Sequence, residues 1–424
     1  MTYQEILDYI FSRGRFGIKP GLERINRLLE RLGNPHSRFR AVQIAGTNGK
    51  GSTAAFLSSI MTTAGYRTGL YTSPHLVSFT ERFRIDGSEI SEERVAALAE
   101  RVLAVAPDDA TFFELVTAIA FLWFAEEEVD LAVIETGLGG RFDATNSIEG
   151  ILAVITPVGL DHCEYLGDTL DVVAFEKAGI IKPGRPVVVS AQEPEAMQVI
   201  VERCHELVAP LFSLGDQFAT GWSPEGMWYN GMHSSLSGVK PSLAGRFQSG
   251  NAAAAMAAAE LLRDAGFTVG DDALRSGIER AVWPGRMELF PGPPQILLDG
   301  AHNEAGIRAL IAALKDYPRE RLILVAGFMA DKKWQQLLLQ LLPLAGQLVA
   351  VAPALERALE TVELAAFTHC LGVDVDMAVT VADGVARACK LAGSNDLILV
   401  TGSLFTVGEA RAFLTGTEAR AIRG

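Results

Sequence analysis

Ala41-Val42-Gln43-Ile44-Ala45-Gly46-Thr47-Asn48-Gly49-Lys50-Gly51-Ser52-Thr53 decides how the chain is read. It starts as a short apolar strand and passes into a glycine-rich turn with one lysine and two hydroxyls. A helix follows, with Phe56, Leu57, Ile60 and Met61 on one face. Such a turn points several backbone N–H groups at one spot, with a helix N-terminus behind them, and so makes a phosphate site. Lys50 can reach β/γ-phosphates, and Ser52 or Thr53 can hold Mg²⁺. The stretch departs from the pattern G-x-x-x-x-G-K-[ST], because Ile44 stands at the first glycine and Gly51 separates Lys50 from Ser52. A plain turn of small residues is the alternative. The order of lysine and hydroxyls between strand and helix favours the nucleotide loop.

Outward from this loop, the 424-residue chain has room for two or three domains. Its 49% hydrophobic and 21% charged residues, without low-complexity tracts, fit a soluble globular protein. A net charge of −14 argues against a nucleic-acid surface, yet a local cluster of cations can still bind anionic substrates. Cys163, Cys204, Cys370 and Cys389 form no C-x-x-C pair and read as free thiols of a reducing compartment. Met1 to Ile10 lacks a basic n-region, and the apolar run Phe112 to Ala125 is too short to span a bilayer. A cytoplasmic protein without membrane partners is expected, and nothing demands more than a monomer.

Residues 3–12 and 21–32 read as amphipathic helices, joined by the basic connector Ser12 to Pro20. Strands are predicted at Thr68–Thr72, Phe79–Ile85, Leu131–Ile134, Ile151–Ile155 and Pro186–Val189. Helices are predicted from Ser91 to about Val105 and from Thr111 to about Glu127. The alternation predicts an α/β fold with a mainly parallel sheet. Residues 211–245, with Trp222, Trp228 and Tyr229 among Gly and Ser, predict short antiparallel strands before an alanine-rich helix from Asn251 to Arg263. The run from Trp283 to Pro294 is taken as the boundary between a P-loop domain, 1–287, and a smaller Rossmann-like α/β domain, 288–424. In the latter, strands are predicted at 295–298, 322–325, 348–351 and 397–400. Helices are predicted at 304–315, 331–342, 359–369, 383–392 and 405–414.

Several strand ends carry chemistry. Glu135 closes Leu131-Ala132-Val133-Ile134, where ligands bind in open α/β sheets, although a solvated strand end is equally natural. The following Gly137-Leu138-Gly139 does not complete a dinucleotide fingerprint, since Phe142 stands at the last position. His162, in Gly159-Leu160-Asp161-His162, again lies just past a strand, as a structural residue or a ligand. Lys177, in Phe175-Glu176-Lys177-Ala178-Gly179, is either a snorkelling lysine or a desolvated amine able to take up CO₂ as a carbamate. A carbamate, a carboxylate and a hydroxyl would suit magnesium. Thr111-Phe112-Phe113-Glu114 offers aromatic faces and a carboxylate for a heterocycle edge, or else a helix start with an exposed Glu.

The loop Gly46-Thr47-Asn48-Gly49-Lys50-Gly51-Ser52 resembles that of the Mur ligase superfamily. Its Lys-Gly-Ser ending is similar to the folate branch of folylpolyglutamate and dihydrofolate synthases. The resemblance runs over essentially the full length. It implies a P-loop central domain with a C-terminal glutamate-ligase domain. In the loop it implies that Gly49, Lys50, Gly51 and Ser52 hold ATP. It also implies a metal site of Ser52, Ser73 (in Thr72-Ser73-Pro74-His75-Leu76), Glu135, His162 and a carbamylated Lys177. Thr111, Phe112, Phe113 and Glu114 would order a pterin, beside an Ω-shaped loop presenting Phe142, Asp143 and Ala144. Asn251 resembles a residue near the adenine, although the usual preceding His-Gln reads Arg246-Phe247-Gln248. Arg286 matches a phosphate-contacting arginine, and Asp299 matches a ribose-side aspartate. His302 and Ser403 would border the incoming glutamate.

The implied activity is ATP-dependent ligation of L-glutamate to dihydropteroate and to folates through an acyl phosphate, with Mg²⁺, Lys50, Lys177 and His302 at its centre. A folylpolyglutamate synthase alone, a P-loop ATPase or kinase acting on another small metabolite, and a non-catalytic nucleotide-binding regulator are the alternatives.

Overall fold

The structure, a computed structural model, describes residues 1–16 and 20–417; Gly17, Ile18 and Lys19 of the basic connector lie outside them. The apolar stretch of the nucleotide loop is β1 (Arg40–Ala45), and it is central to the first sheet. In chain order come β2 (Thr68–Tyr71), β3 (Phe83–Ile85), β4 (Ser88–Glu89), β5 (Leu131–Glu135), β6 (Leu152–Ile155), β7 (Val187–Val189) and β8 (Leu211–Ser213). Their spatial order is β4-β3-β2-β5-β1-β6-β7-β8, parallel throughout except for the β2-β3-β4 edge. β5 and β6 flank β1, pairing Ile44 with Glu135 on one side and with Val154 on the other. The loops leaving β1, β5 and β6 therefore emerge side by side at one end of the sheet, the usual place for a ligand in an open parallel sheet.

The inner strands of this sheet are buried on both faces, while the edge strands β4 and β8 are not. On one face, helices Tyr3–Ser12, Glu23–Arg31, Glu92–Val105 and Phe112–Glu126 place Ile6, Ile10, Ile25, Leu29, Val95 and Phe121 in one core. On the other, the loop helix Lys50–Thr63 is pressed between helices Gln248–Leu261 and Asp271–Arg280. Residues Ala252 to Ala259 are fully buried, and their small side chains let the helices approach closely. The expected antiparallel segment forms a three-stranded sheet, β9 (Ala219–Ser223), β10 (Gly226–Asn230) and β11 (Ser235–Val239), over the same core.

The last third of the described residues forms a second sheet. Its strands are β12 (Glu288–Phe290), β13 (Gln295–Leu298), β14 (Leu322–Ala326), β15 (Gln347–Ala350), β16 (Val375–Met377) and β17 (Leu397–Thr401). The order β12-β13-β17-β14-β15-β16 is parallel except at β12, and helices cover both faces. Among the described residues no helix is long and apolar enough to cross a membrane.

One predicted strand is shorter than expected. Phe79–Arg82 is a 3₁₀ turn, and only Phe83–Ile85 is strand. Ser78 and Glu81 form a capping box, and the Glu81 carboxylate also accepts from the N–H groups of Leu76 and Val77. These local bonds outcompete the sheet ladder.

The tightest helix crossing lies behind the nucleotide loop. A Cβ added at Gly277 would fall 2.5 Å from Ile60 Cα, against backbone that cannot turn aside. Gly277→Ala is expected to force the two helices apart, costing about 1–3 kcal/mol. Thermal melting should fall by several degrees, and an unchanged melting temperature would show that the crossing yields freely.

Candidate functional site

The loop after β1 is held by its own backbone before any side chain is considered. Thr47 and Asn48 donate their N–H groups to the Pro157 carbonyl, at 2.9 and 3.2 Å, and Thr47 Oγ1 donates to the Gly159 carbonyl at 2.9 Å. Gly46 and Gly49 have φ of 149° and 83°, a region that side chains disfavour. Neither has room for one: a Cβ on Gly46 would lie 1.9 Å from Thr156 Oγ1, and one on Gly49 would lie 2.3 Å from Asn251 Oδ1. Asn251 is thus seated on the loop. Its Nδ2 donates to Gln248 Oε1 at 2.8 Å, while Gln248 Nε2 reaches Ser52 Oγ at 3.5 Å. Gln248 therefore takes a place in the loop's surroundings even though the residues before it depart from the expected pair. Trp283 leans on Gly51, which would carry a Cβ only 2.7 Å from its ring.

Glu135, at the end of β5, is buried and accepts the Ser73 N–H at 3.1 Å, so the end of β2 and the end of β5 meet directly. Burial raises the Glu135 carboxyl, and Lys50, the Ser73 N–H, Arg286 and Arg82 oppose that rise. Lys177 is buried, donating from Nζ to the Gly46 carbonyl at 2.7 Å. Desolvation, with the Lys50 charge adding to it, pulls its ammonium down to about 7. This is the desolvated amine of the two readings, and not a snorkelling one. His162 is exposed, with φ of 51°, at the start of the short helix Cys163–Leu166. Among the described residues no three His, Cys, Asp or Glu side chains converge as a metal cage. The expected set of Ser52, Ser73, Glu135, His162 and Lys177 contains two such side chains, and takes its other donors from two hydroxyls and from Lys177.

A cleft opens beside this strand-end cluster, lined by Ser73, His75, Arg84, Glu135, Arg286 and Leu404. Behind His75, Arg82 is buried and donates from Nε to His75 Nδ1 at 2.8 Å. Burial lowers the Arg82 guanidinium to about 10, and burial and Arg82 together keep His75 well below the ordinary imidazole value.

Of the two readings of Thr111 to Glu114, the helix start is present, but its Glu is buried and not exposed. Thr111 caps the helix Phe112–Glu126, donating its N–H to Glu114 Oε2 at 2.8 Å. Glu114 is buried and paired with Arg24 at 3.0 Å, so it is neither an exposed helix start nor a free carboxylate. Phe112 stacks on Phe11, with centroids 5.4 Å apart, and Phe113 lies against Gly137 in the loop after Glu135. In the Ω-shaped loop, Asp143 is buried and holds the turn by accepting from the Leu138 N–H at 2.7 Å and the Thr145 hydroxyl at 2.6 Å. Ala144 is buried beside it, whereas Phe142 is exposed under the Arg141 guanidinium.

Residues beside the second sheet meet the first half of the chain. Asp299, just past β13, is buried and accepts from the Met287 and Ala301 N–H groups, both at 3.0 Å. Burial raises its carboxyl, with Arg286 opposing. His302 donates from Nδ1 to the Gly300 carbonyl at 2.8 Å, and its Nε2 lies 3.5 Å from Asp161. Asp161 also pairs with Lys332 and lies 3.5 Å from Asn303 Nδ2, which donates to Asn48 Oδ1 at 3.0 Å. Burial alone would raise the Asp161 carboxyl, but His302, His162 and Lys332 hold it well below the ordinary range. Ser403 is buried as the cap of the helix Leu404–Thr415, its hydroxyl accepting from the Thr406 N–H at 3.0 Å.

Residues 44–259 match the Mur ligase middle domain, and residues 285–404 match the Mur ligase glutamate ligase domain. The dihydrofolate synthase/folylpolyglutamate synthase of Bacillus subtilis is 38% identical over 97% of this chain and 98% of its own length. The chain belongs to the Mur ligase family. A protein of the same description from Mycobacterium tuberculosis is 34% identical, over 97% of this chain and 93% of its own. The folate branch holds among solved structures too. M. tuberculosis folylpolyglutamate synthase complexed with ADP superposes with a TM-score of 0.91 at 32% identity, covering 99% of both chains. E. coli FolC in complex with DHPP and ADP gives 0.89 at 30% identity, over 97% of this chain and 98% of that one. This Mur ligase is an ATP-dependent ligase of the dihydrofolate synthase/folylpolyglutamate synthase branch.

Reading the sequence missed the partners that join the two halves. Asp161 and Asn48 stood in quoted motifs without a role, as His75 did within the first half, whereas Asn303, Lys332 and Arg82 were given no role at all. The titration of Lys177 is testable. Below about pH 7 both folded and unfolded ligase carry its proton; between about 7 and the ordinary 10.5 only the unfolded chain does. Stability linked to Lys177 therefore rises with pH across that window. In CO₂-free, metal-free buffer, Lys177→Met should melt above wild type near pH 7, and the gap should close as the pH approaches about 10. A gap that stays constant would mean that Lys177 keeps its ordinary affinity for the proton.

Proposed function

We propose that this ligase joins the amine of L-glutamate to the carboxylate of dihydropteroate, giving dihydrofolate, and to folates, giving polyglutamates. The observation that carries the proposal is one cleft in which Ser73 and Glu135 of the first sheet face Arg286 and Leu404, with the Lys50 loop at its edge. A carboxylate does not react with an amine unaided, because oxide is a poor leaving group. A carboxylate oxygen attacks the γ-phosphorus of ATP, and ADP leaves. The glutamate amine then attacks the carbonyl carbon of the acyl phosphate, loses a proton, and phosphate leaves as the amide forms.

The protein contributes position and charge. Gly49, Lys50, Gly51 and Ser52 cradle the phosphates, with Asn251 over the loop and Asp299 on the ribose side. Lys50 and Arg286, which lie close enough to bias the Glu135 carboxyl, neutralise the transferring phosphoryl group from the two sides. Ser52, Ser73, Glu135, His162 and Lys177 would hold Mg²⁺, which supplies Lewis-acid stabilisation of phosphate oxygens when bound. The donor set suits it, because hydroxyl and carboxylate oxygens dominate and the amine of Lys177, drawn toward neutrality, is ready to become a carbamate. Phe113, Phe142 and Ala144 shape the acceptor's approach, with Thr111, Phe112, Glu114 and Asp143 fixing the wall behind them. His302 and Ser403 border the glutamate. The parts 1–287 and 288–424 act as two domains closing about the segment 284–294. We take the ligase to work as a monomer in the cytoplasm.

Purified protein with ATP, Mg²⁺ and L-glutamate should release phosphate with dihydropteroate and, separately, with tetrahydrofolate, and mass spectrometry should find one glutamate added in each. Activity with tetrahydrofolate alone would leave a polyglutamate synthase, and silence in both would mean a different acceptor. Lys177→Ala should lose ligation by about two orders of magnitude or more. It should regain part of it with added short carboxylic acids, whereas wild-type turnover in that variant would remove the carbamate from the mechanism.

A further inference from the structure

The pair Arg82–His75 is an expensive arrangement that the reaction as described does not use. Arg82 is 2% exposed, and among the described residues it forms no ion pair; Glu81 and Glu135 act on it only as nearby charges. Its guanidinium is flanked by the rings of Phe79 and Phe112, at 5.7 and 5.4 Å. What it does is donate from Nε to His75 Nδ1 at 2.8 Å. Arginine has no acceptor, so Nδ1 must accept, and the proton of the imidazole ring sits on Nε2. His75 is itself 5% exposed and stands edge-on to Phe79, with ring centroids 5.8 Å apart, so packing and the Arg82 bond together restrain the ring. Among the described residues Nε2 has no protein acceptor, and the ring lines the cleft with Ser73, Glu135, Arg84 and Arg286. A fixed N–H is thereby aimed from a dry wall into a cleft with two arginines.

We propose that His75 Nε2–H is a donor to the acceptor's reacting carboxylate, on the oxygen that is not transferred to phosphorus, and that Arg82 is its positioning residue. This rests on the ligase reading above. That oxygen is part of an anion before activation, a carbonyl oxygen in the acyl phosphate and an oxyanion when the amine has attacked. It returns to a carbonyl as phosphate leaves. A donor preset at this position stabilises most where charge is greatest, in the attack step.

The test uses the full chain with ATP, Mg²⁺, L-glutamate and whichever acceptor the wild type ligates. His75→Leu should lower kcat about a hundredfold and leave the KM for ATP within about threefold. His75→Gln should recover most of that loss, since its Nε2 reaches the same place and its oxygen can accept from Arg82. Arg82→Lys, which keeps the charge but lacks the planar Nε–H, should lower kcat while sparing the KM for ATP. It carries the test if the leucine variant fails to fold. Unimpaired kcat in His75→Leu or Arg82→Lys, or a glutamine variant as slow as the leucine one, overturns the proposal. Wild-type protein that ligates neither acceptor overturns the ligase reading and this proposal with it, whereas wild-type ligation with an unimpaired His75→Leu overturns this proposal alone.

Discussion

Three bulky groups press on the backbone of the turn between β1 and its helix. Thr156 comes from the strand beside it, Asn251 from the alanine-rich helix, and Trp283 from the joint before the second sheet. No Cβ fits at Gly46, Gly49 or Gly51, so the turn takes its shape from the close fit of segments that lie more than a hundred residues away. A rigid ring of N–H donors is what a triphosphate requires, because donors that must first be organised stabilise less. The small side chains of residues 252–259 serve the same end, since they bring that helix near enough for Asn251 to rest on the loop.

Around the turn the protein buries charges that would be costly elsewhere, Glu135, Lys177 and Arg82, and at the seam it half-buries Asp161. An unpaired buried ion is a heavy penalty, and each of these is compensated differently. Glu135 has a backbone N–H and nearby cations, Arg82 an imidazole and two aromatic faces, and Asp161 a lysine and a histidine from the other half of the chain. Among the described residues the Lys177 amine donates to a single carbonyl, with Asp161 and Asp143 acting only as nearby charges, and it binds its proton less tightly. Such uneven compensation is typical of sites built for chemistry.

What the sequence disclosed follows from how local each cause is. The strand-turn-helix at residues 41–63 was legible because glycines, lysine and hydroxyls act within one turn. The strand-end positions of Glu135 and Asp299 were legible because apolar runs end abruptly. Short edge strands such as β12 and β16 escaped notice, having too few residues for a pattern. At Thr111 the same letters, T-x-x-E, spell a capping box, and only the arrival of Arg24 from another helix settles where Glu114 points. At Ser78 the box was equally visible and was read past in favour of an apolar strand. The seam through Asp161, Asn48 and Asn303 joins residues with no periodic relation, so no local rule finds it.

The ion pair between Arg24 and Glu114 reaches beyond a single contact. The helix Glu23–Arg31 precedes residue 44, where the family match begins, yet it is bolted to the helix whose first turn carries Phe112 and Phe113. The opening segment and that first turn therefore move as one piece: a displacement of the helix Glu23–Arg31 is handed through the pair to Phe112 and Phe113, and Phe113 passes it to Gly137 in the loop after Glu135. Residues at the start of the chain thus act as a lever on a strand end more than a hundred positions away.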